Sequence, residues 1–213
     1  MWFLGVGGYG FSGKDTFADI LAERYEWKKH YMSEPLEAAL VALDPFLPMY
    51  SPSGDVVGWE HYSVLHKRVG YNESKKNPEA RRLLQILGTS VGRNMFGENC
   101  WVNIGYTNCK LDMDKGFNVA LTGIRFSNEL KMATKLHGFN VWIDRPGFGP
   151  VNGHVSDNSL GPSDFDLILR NDGSLEDLKS TVLKFYECLD TQNRTKAQIL
   201  SVIRKKLGYN GIR

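Results

Sequence analysis

The sequence predicts an α/β fold, a mainly parallel sheet flanked by helices, and three observations lead to it. Short apolar runs alternate with amphipathic segments along most of the chain, the pattern of βα units joined by right-handed crossovers. The first apolar run ends in a glycine-dense turn that leads straight into a helical pattern. Arginines recur where the later apolar runs stop, and strand ends are where such sheets hold ligands.

Taken in order, Trp2-Phe3-Leu4-Gly5-Val6 reads as a short buried strand, and Phe17, Ile20 and Leu21 recur at helical spacing as far as about Arg24. Lys29-His-Tyr-Met32 is a short second strand, and Ser33-Glu34-Pro35 starts a helix through Leu36 to Leu43, with proline in its first turn. From Asp44 to Gly70 the prolines 45, 48 and 52 and the glycines 54 and 58 break the periodicity. This stretch is expected to be a long, loop-rich insertion, with Tyr50, Trp59, Tyr62 and Leu65 supplying apolar surface.

Pro78 to Thr89 predicts a helix with Ala80, Leu83, Leu84 and Leu87 on one stripe and Gly88 as its C-cap. Arg81, Arg82 and Gln85 on that helix, with Thr89 and Arg93 beyond it, are donors suited to a phosphate and a base edge; a solvated arginine face is the alternative. Trp101 and Tyr106 follow a Gly97-Glu-Asn turn. Phe117 to Arg125 reads as a buried strand ending in Gly123 and Arg125, and Ser127 begins a helix that runs to Gly138. Asn140 to Asp144 is the next strand, followed by Arg145 and a stretch from Pro146 to Pro162 with glycines at 147, 149, 153 and 161, the composition of a lid. Asp166 to Leu169 is the last strand, and Ser174 with Asp177 forms a capping box before Leu175, Leu178, Val182 and Phe185. From about Asp190 a basic amphipathic helix carries Ile199, Leu200, Ile203 and Leu207; packing on the domain or on a second subunit is favoured over a membrane surface. A homodimer is therefore one expectation.

The 213 residues fit one domain with an inserted lobe. A net charge of +2 argues against a nucleic-acid polymer as partner. Cys100, Cys109 and Cys188 are odd in number and form no CxxC pair, so neither a disulfide framework nor a zinc site is expected, and a reducing cytoplasm suits them. No apolar run approaches the ~20 residues of a membrane span, and the start of the chain has no basic segment followed by a long apolar core, so neither anchor nor signal peptide is expected. The histidines 30, 61, 66, 137 and 154 show no metal-ligand spacing.

The glycine-dense turn carries the chemistry. Gly8 to Lys14 satisfies G-x-x-x-x-G-K, with Gly8, Gly10 and Gly13 letting successive amides point inward at phosphate oxygens and Lys14 reaching the β/γ-phosphates. In the strict motif a hydroxyl follows the lysine and ligates Mg²⁺; here Asp15 follows and the hydroxyl comes at Thr16. Asp15 either contacts the ion or its waters, or serves as an acid in the first helical turn. Arginines from the helix near residue 81, from the strand end at Arg125 and from Arg145 suit phosphoryl transfer between two anions, where Lys14, Arg125 and Arg145 would neutralise the transferred group. An acceptor that is already a phosphate needs no general base, so the lack of a catalytic His or Cys constellation fits.

Gly8-Tyr-Gly-Phe-Ser-Gly-Lys-Asp-Thr16, Arg81-Arg-Leu-Leu-Gln-Ile-Leu-Gly-Thr89, Trp101-Val102, Arg125 with Asn128-Glu129, Arg145-Pro146 and Asn171-Asp-Gly-Ser-Leu-Glu176 together resemble the deoxynucleoside monophosphate kinases of tailed bacteriophages, from residue 1 to about 189. The resemblance implies a P-loop NTP hydrolase fold over 1–189, with an inserted monophosphate-binding lobe at 33–110, a lid at 146–163 and a C-terminal helical extension at 190–213. It implies transfer of the γ-phosphate of ATP, with Mg²⁺, to a deoxynucleoside 5′-monophosphate for phage DNA synthesis in the host cytoplasm. Gly8, Gly10, Ser12, Gly13, Lys14, Asp15 and Thr16 would hold ATP, with Asp15 and Thr16 facing the metal directly or through water. Arg82, Gln85, Gly88, Thr89 and Trp101 would lie at the monophosphate site, with Arg68, Arg81 and Arg125 as neighbours. The chain departs from the family at Glu37, where a lysine is frequent, and at Gly123, where an acid is frequent.

Two other readings stay open on sequence. A P-loop kinase of a small non-nucleotide acceptor such as dephospho-coenzyme A would need an Asp base, for which Asp144 is available. A nucleotide-binding switch has Asp55-Val-Val-Gly58 in its favour and the lack of an N-K-x-D signature against it.

Overall fold

The computed structural model describes residues 1–150, 159–189 and 195–207, in a chain that divides into two units, Met1–Met32 with Tyr106–Arg213 and Ser33–Gly105. Residues 151–158, which hold His154 and the middle of the expected lid, lie outside the described residues, as do 190–194 and 208–213 of the expected C-terminal extension.

The first unit is built on β1 (Phe3–Gly7), β2 (Lys28–Tyr31), β5 (Val119–Thr122), β6 (Phe139–Asp144) and β7 (Leu167–Arg170), all parallel, in the order β2-β5-β1-β6-β7. β1 pairs from Phe3↔Val119 to Val6↔Thr122 on one side and from Leu4↔Phe139 to Gly7↔Trp142 on the other. The chain leaves β1 toward β2 at one edge and β6 toward β7 at the other. Those diverging connections leave a crevice beside the carboxyl end of β1.

The central strands β1, β5 and most of β6 are apolar because helices cover the sheet, whereas the edge strand β2, Lys-Lys-His-Tyr, is polar and partly exposed. Leu4, Val6, Ala120, Val141, Ile143, Leu167 and Leu169 share one cluster with Phe17 and Leu21 of α1 (Lys14–Tyr25) and with Leu178, Val182 and Phe185 of α8 (Leu175–Leu189). Phe17 and Phe185 meet edge to face at 5.4 Å. α7 (Ser127–Lys135) adds Met132 and Ala133, both buried.

The C-terminal helix α9 (Lys196–Leu207) joins the same cluster through Ile199, Leu200 and Ile203. Fully burying an aliphatic side chain is worth about 1.5–3 kcal/mol, so this stripe accounts for the helix docking on its own domain. Lys196 and Arg204 fix it, bonding the Asp166 carboxylate at 3.1 Å and the Asp166 carbonyl at 2.7 Å.

α8 begins with the expected capping box. The Ser174 amide and hydroxyl donate to the Asp177 carboxylate at 2.8 and 2.6 Å, and the Asp177 amide donates back to the Ser174 hydroxyl at 3.2 Å. These bonds from Ser174 hold the Asp177 carboxyl below the usual carboxylate range. A carboxyl with a lowered folded value stabilises the fold fully above its unfolded value, and that contribution disappears as pH falls through the folded one. Asp177→Asn is therefore expected to be less stable than the parent in urea at pH 7, with the difference closing as the pH falls through the lowered folded value of Asp177.

The second unit overturns one expectation. Asp44 to Gly70 is not loop-rich: it forms an antiparallel hairpin, β3 (Phe46–Tyr50) with β4 (Val56–His61), and then α3 (Tyr62–Ser74), kinked at Gly70. Pro48 is tolerated because a two-stranded ribbon leaves each strand an outer edge where a missing N–H costs nothing. Its carbonyl instead accepts from the Asn77 side chain at 2.7 Å. The turn is tied by Ser51, whose amide donates to the Asp55 carbonyl at 2.8 Å. Leu40 of α2 (Glu34–Leu43), Leu47, Tyr62, Leu65, Ala80 and Leu84 form this unit's own cluster.

Gly88 is not a C-cap, the second correction. α4 (Pro78–Gln85) starts where expected, with the Asn77 side chain accepting from the amides of Glu79 and Ala80 at 3.0 and 3.1 Å. It then runs on through a π-helical stretch, Ile86–Arg93, into the short α5 (Asn94–Phe96). The glycine that stops it is Gly97, with φ 100. The chain returns to the first unit along α6 (Cys100–Asp114).

Candidate active site: a phosphate loop and an arginine-bearing helix

In the first unit, β1 ends at Gly7 and α1 begins at Lys14, so the loop between them lies at the crevice edge of the sheet. Two glycines give it its shape. Gly8 has φ 148, and a Cβ there would stand 2.5 Å from the Ser12 hydroxyl and 2.7 Å from the Ile143 carbonyl. Gly13, the N-cap of α1, has φ 92, and a Cβ there would run into the Asn171 side chain.

Asn171, which the sequence showed only within the Asn171-Asp-Gly-Ser-Leu-Glu176 stretch of the family resemblance, is a positioning residue. It is buried, its side-chain amide donates to the Ser12 carbonyl at 2.8 Å, and its own amide donates to the Asp144 carbonyl at 2.7 Å. The loop is thereby tied to the ends of β6 and β7. From the other side Tyr9 packs edge-on against Trp142 at 4.9 Å, and Trp142 meets Phe165 at 5.1 Å.

Ser12 is buried, and its hydroxyl has no hydrogen-bond partner among the described residues. α1 has no side-chain N-cap bond. Amides at a helix start carry partial positive charge and, with a glycine cradle, bind phosphate. Phe11, at the tip, holds φ 62 with its ring exposed, a conformation that costs a non-glycine residue roughly 1–2 kcal/mol.

Lys14 is largely buried, with its ammonium 3.3 Å from the Asp15 carboxylate. Burial works against the charge on Asp15, but the Lys14 ammonium, with smaller contributions from Thr122 and Lys29, outweighs it and holds the carboxyl below the usual range. Lys29, which no motif singles out, donates to the Asp19 carboxylate at 2.6 Å and faces the Asp15 carbonyl at 3.4 Å. Thr16 is half-buried in the first turn of α1.

Arg145 comes to the same loop. Its guanidinium donates to the Phe11 carbonyl at 3.4 Å and lies 5.1 Å from the centre of the Phe148 ring. Arg125 follows β5 with its side chain exposed, and its backbone amide donates at 2.7 Å to the buried Glu129 carboxylate, which starts α7. Lys14, Asp15, Thr16, Arg125 and Arg145 thus all lie in the first unit, with Gly8, Gly10, Ser12 and Gly13.

The other expected site residues belong to the second unit. Arg82 is bound through two parallel bonds to Glu79, at 2.7 and 2.6 Å. Arg68 donates to Glu60 at 2.6 Å, and Arg81 donates to the Lys75 carbonyl at 3.1 Å. Exposed pairs of this kind contribute little to stability. Gln85 closes α4, while Gly88 and Thr89 lie within the π-helical stretch. Such stretches are frequent at functional sites. Trp101 spans it: the indole N–H donates to the Gly88 carbonyl at 3.1 Å, and the ring covers Gly92, where a Cβ would collide with it. Glu37, the first departure from the expected pattern, accepts a 2.5 Å hydrogen bond from His66.

Among the described residues no group of three or more His, Cys, Asp or Glu side chains could hold a metal, and no helix is long and apolar enough to cross a membrane.

Comparison with known proteins bears on both units. Among curated proteins, the deoxynucleotide monophosphate kinase of Escherichia phage RB69 is 31% identical over 124 residues, covering 58% of this chain and 50% of that protein. That of Enterobacteria phage T4 is 30% identical over 103 residues, 48% of this chain and 43% of that protein. The chain spans about half the length of the curated relatives it matches or less. Among solved structures, dephospho-CoA kinase from Campylobacter jejuni superposes with a TM-score of 0.45 at 13% identity, over 87% of this chain and 95% of that one. Shikimate kinase from Aquifex aeolicus vf5 gives 0.43 at 16% identity, over 89% and 99%. The family model described as deoxynucleotide monophosphate kinase matches residues 47–182, from β3 into α8, leaving the phosphate loop to be read from its own geometry. With that match extending over more than half of its length, the chain belongs to the deoxynucleotide monophosphate kinase family.

Proposed function

We propose that the chain transfers the γ-phosphate of ATP to a deoxynucleoside 5′-monophosphate, giving ADP and the deoxynucleoside diphosphate, in the cytoplasm of a phage-infected host. The observation that carries the donor half of this reading is the glycine cradle, with Ser12 buried inside it, at the head of α1 and beside a largely buried Lys14. The family carries the acceptor half.

In this reading Gly8, Gly10, Ser12, Gly13, Lys14 and Thr16 hold the donor phosphates. Asp15 and Thr16 would hold Mg²⁺, directly or through its waters, and a bound ion there would supply charge neutralisation for the phosphates. Lys14, Arg125 and Arg145 balance charge on the transferred group as its bond to the ADP oxygen breaks and a bond to an acceptor phosphate oxygen forms. The acceptor oxygen is already ionised near neutral pH, so no residue needs to remove a proton. Arg68, Arg81, Arg82, Gln85, Gly88, Thr89, Trp101 and Arg125 bind the acceptor.

ADP release measured with each of the four deoxynucleotides, their ribose counterparts and dephospho-coenzyme A tests this directly. Turnover with at least one deoxynucleoside monophosphate is expected, and turnover with dephospho-coenzyme A alone would sink the proposal. Arg82→Ala is expected to raise KM for the monophosphate at least about tenfold while leaving that for ATP unchanged, since a charge-assisted hydrogen bond is worth about 1.5–3 kcal/mol. An effect on ATP alone would remove Arg82 from the acceptor site.

A further inference from the structure

Phe11 stands at the tip of the phosphate loop with φ 62 and its ring 76% exposed. Neither feature helps the fold. Glycine takes up that left-handed conformation without strain, whereas the Phe11 ring gains none of the burial that Phe17 and Phe165 have in the same unit. The turn of the loop calls for no ring at this position, and packing does not account for one.

Arg145 and Phe148 stand at the same place. The Arg145 guanidinium donates to the Phe11 carbonyl at 3.4 Å and lies 5.1 Å from the centre of the Phe148 ring, while the Phe148 amide donates to the Arg145 carbonyl at 3.2 Å. Phe148 is exposed as well. Of the phenylalanine, tyrosine and tryptophan rings described in the first unit, Phe11 and Phe148 are the exposed ones, and Arg145 links the two. Uncovered aromatic surface in this unit is therefore gathered at the tip of the phosphate loop.

The nucleoside of a nucleotide whose phosphates lie along the loop has to sit outside the cradle, where the tip meets solvent. Every base has a π-face that stacks on aromatic rings. We propose that Phe11 binds the base of the donor nucleotide by stacking, with Phe148 as the second ring of the platform, and so separates a nucleoside triphosphate from a bare polyphosphate. Stacking reads no base edge, so the platform favours nucleotides as a class without choosing adenine. The proposal deepens the donor-site reading above and rests on it.

The test uses the full chain with Phe11→Gly and Phe11→Tyr, and two probes, ATP and inorganic tripolyphosphate, whose affinities are measured by calorimetric titration. The parent is expected to bind ATP more tightly than tripolyphosphate. Phe11→Gly should bind ATP about tenfold more weakly, hold tripolyphosphate as the parent does and unfold at a Tm no lower than the parent's. Phe11→Tyr should keep the parent's affinity for ATP. Parent-like ATP affinity in Phe11→Gly overturns the proposal and leaves the donor site standing. An equal loss for both probes assigns the effect to the loop backbone and overturns it too, as does a parent that binds tripolyphosphate as tightly as ATP. If Phe11→Gly does not fold, Phe11→Asn, a residue that tolerates the same φ, is held to the same outcomes. A parent chain that binds neither probe overturns the donor-site reading, and the proposal with it.

Discussion

Lys14→Ala is expected to lower kcat for phosphoryl transfer by at least about a hundredfold, the size of losing one preorganised charge aimed at the transferred group. The fold should survive the change. Lys14 is a cation in the first turn of α1, where the helix dipole disfavours it, and its ion pair is with an Asp15 whose side chain remains half exposed at 53%. Little stability depends on such a pair. Thermal unfolding of the variant should fall within about 3 °C of the parent, while ADP production collapses. A variant that kept the parent's kcat would remove the loop from the reaction altogether.

Gly13→Ala should damage both the fold and donor binding. At φ 92 an alanine is strained by roughly 1–2 kcal/mol, and its methyl group would have to displace the Asn171 side chain that holds the Ser12 carbonyl. Overpacking of this kind adds about 1–3 kcal/mol. Urea unfolding should therefore show a loss of about 2–5 kcal/mol, with calorimetric titration showing little or no ADP binding. Parent-like ADP affinity in a folded Gly13→Ala chain would mean that the cradle holds no phosphate.

The contrast between these two residues shows what the sequence could and could not express. Gly13-Lys14 was legible because a G-x-x-x-x-G-K pattern between an apolar run and a helical one states its own backbone requirement. The parallel strands were legible for a similar reason, since a sheet covered by helices needs continuous apolar runs. Asn171 was not legible as a brace for the loop, because its partner Ser12 is 159 positions away and no periodicity links them.

The hairpin was missed because Pro48 and the polar turn from Ser51 to Asp55 look like loop composition; only the pairing with β4 shows that the proline sits on a free edge. The end of the arginine-bearing helix was misplaced at Gly88 because a glycine after an apolar stripe is a common stop. Trp101 fills the space that Gly92 leaves open and bonds the Gly88 carbonyl, contacts that are invisible along the chain while the helix continues to Gly97. α6 was missed because Asn103, Gly105, Thr107 and Asn108 are weak helix formers.

The two apolar clusters differ in how far apart their members lie along the chain. One gathers residues from Leu40 to Leu84, whereas the other joins Leu4 to Ile203. During synthesis the inner segment is complete once its last turn has left the ribosome, long before α8 and α9 exist to cover α1. Domains fold as units as they emerge, and contacts of long sequence separation close last. The half of the protein that carries the phosphate loop therefore has to wait, with Phe17 and Leu21 uncovered, until translation has passed residue 203.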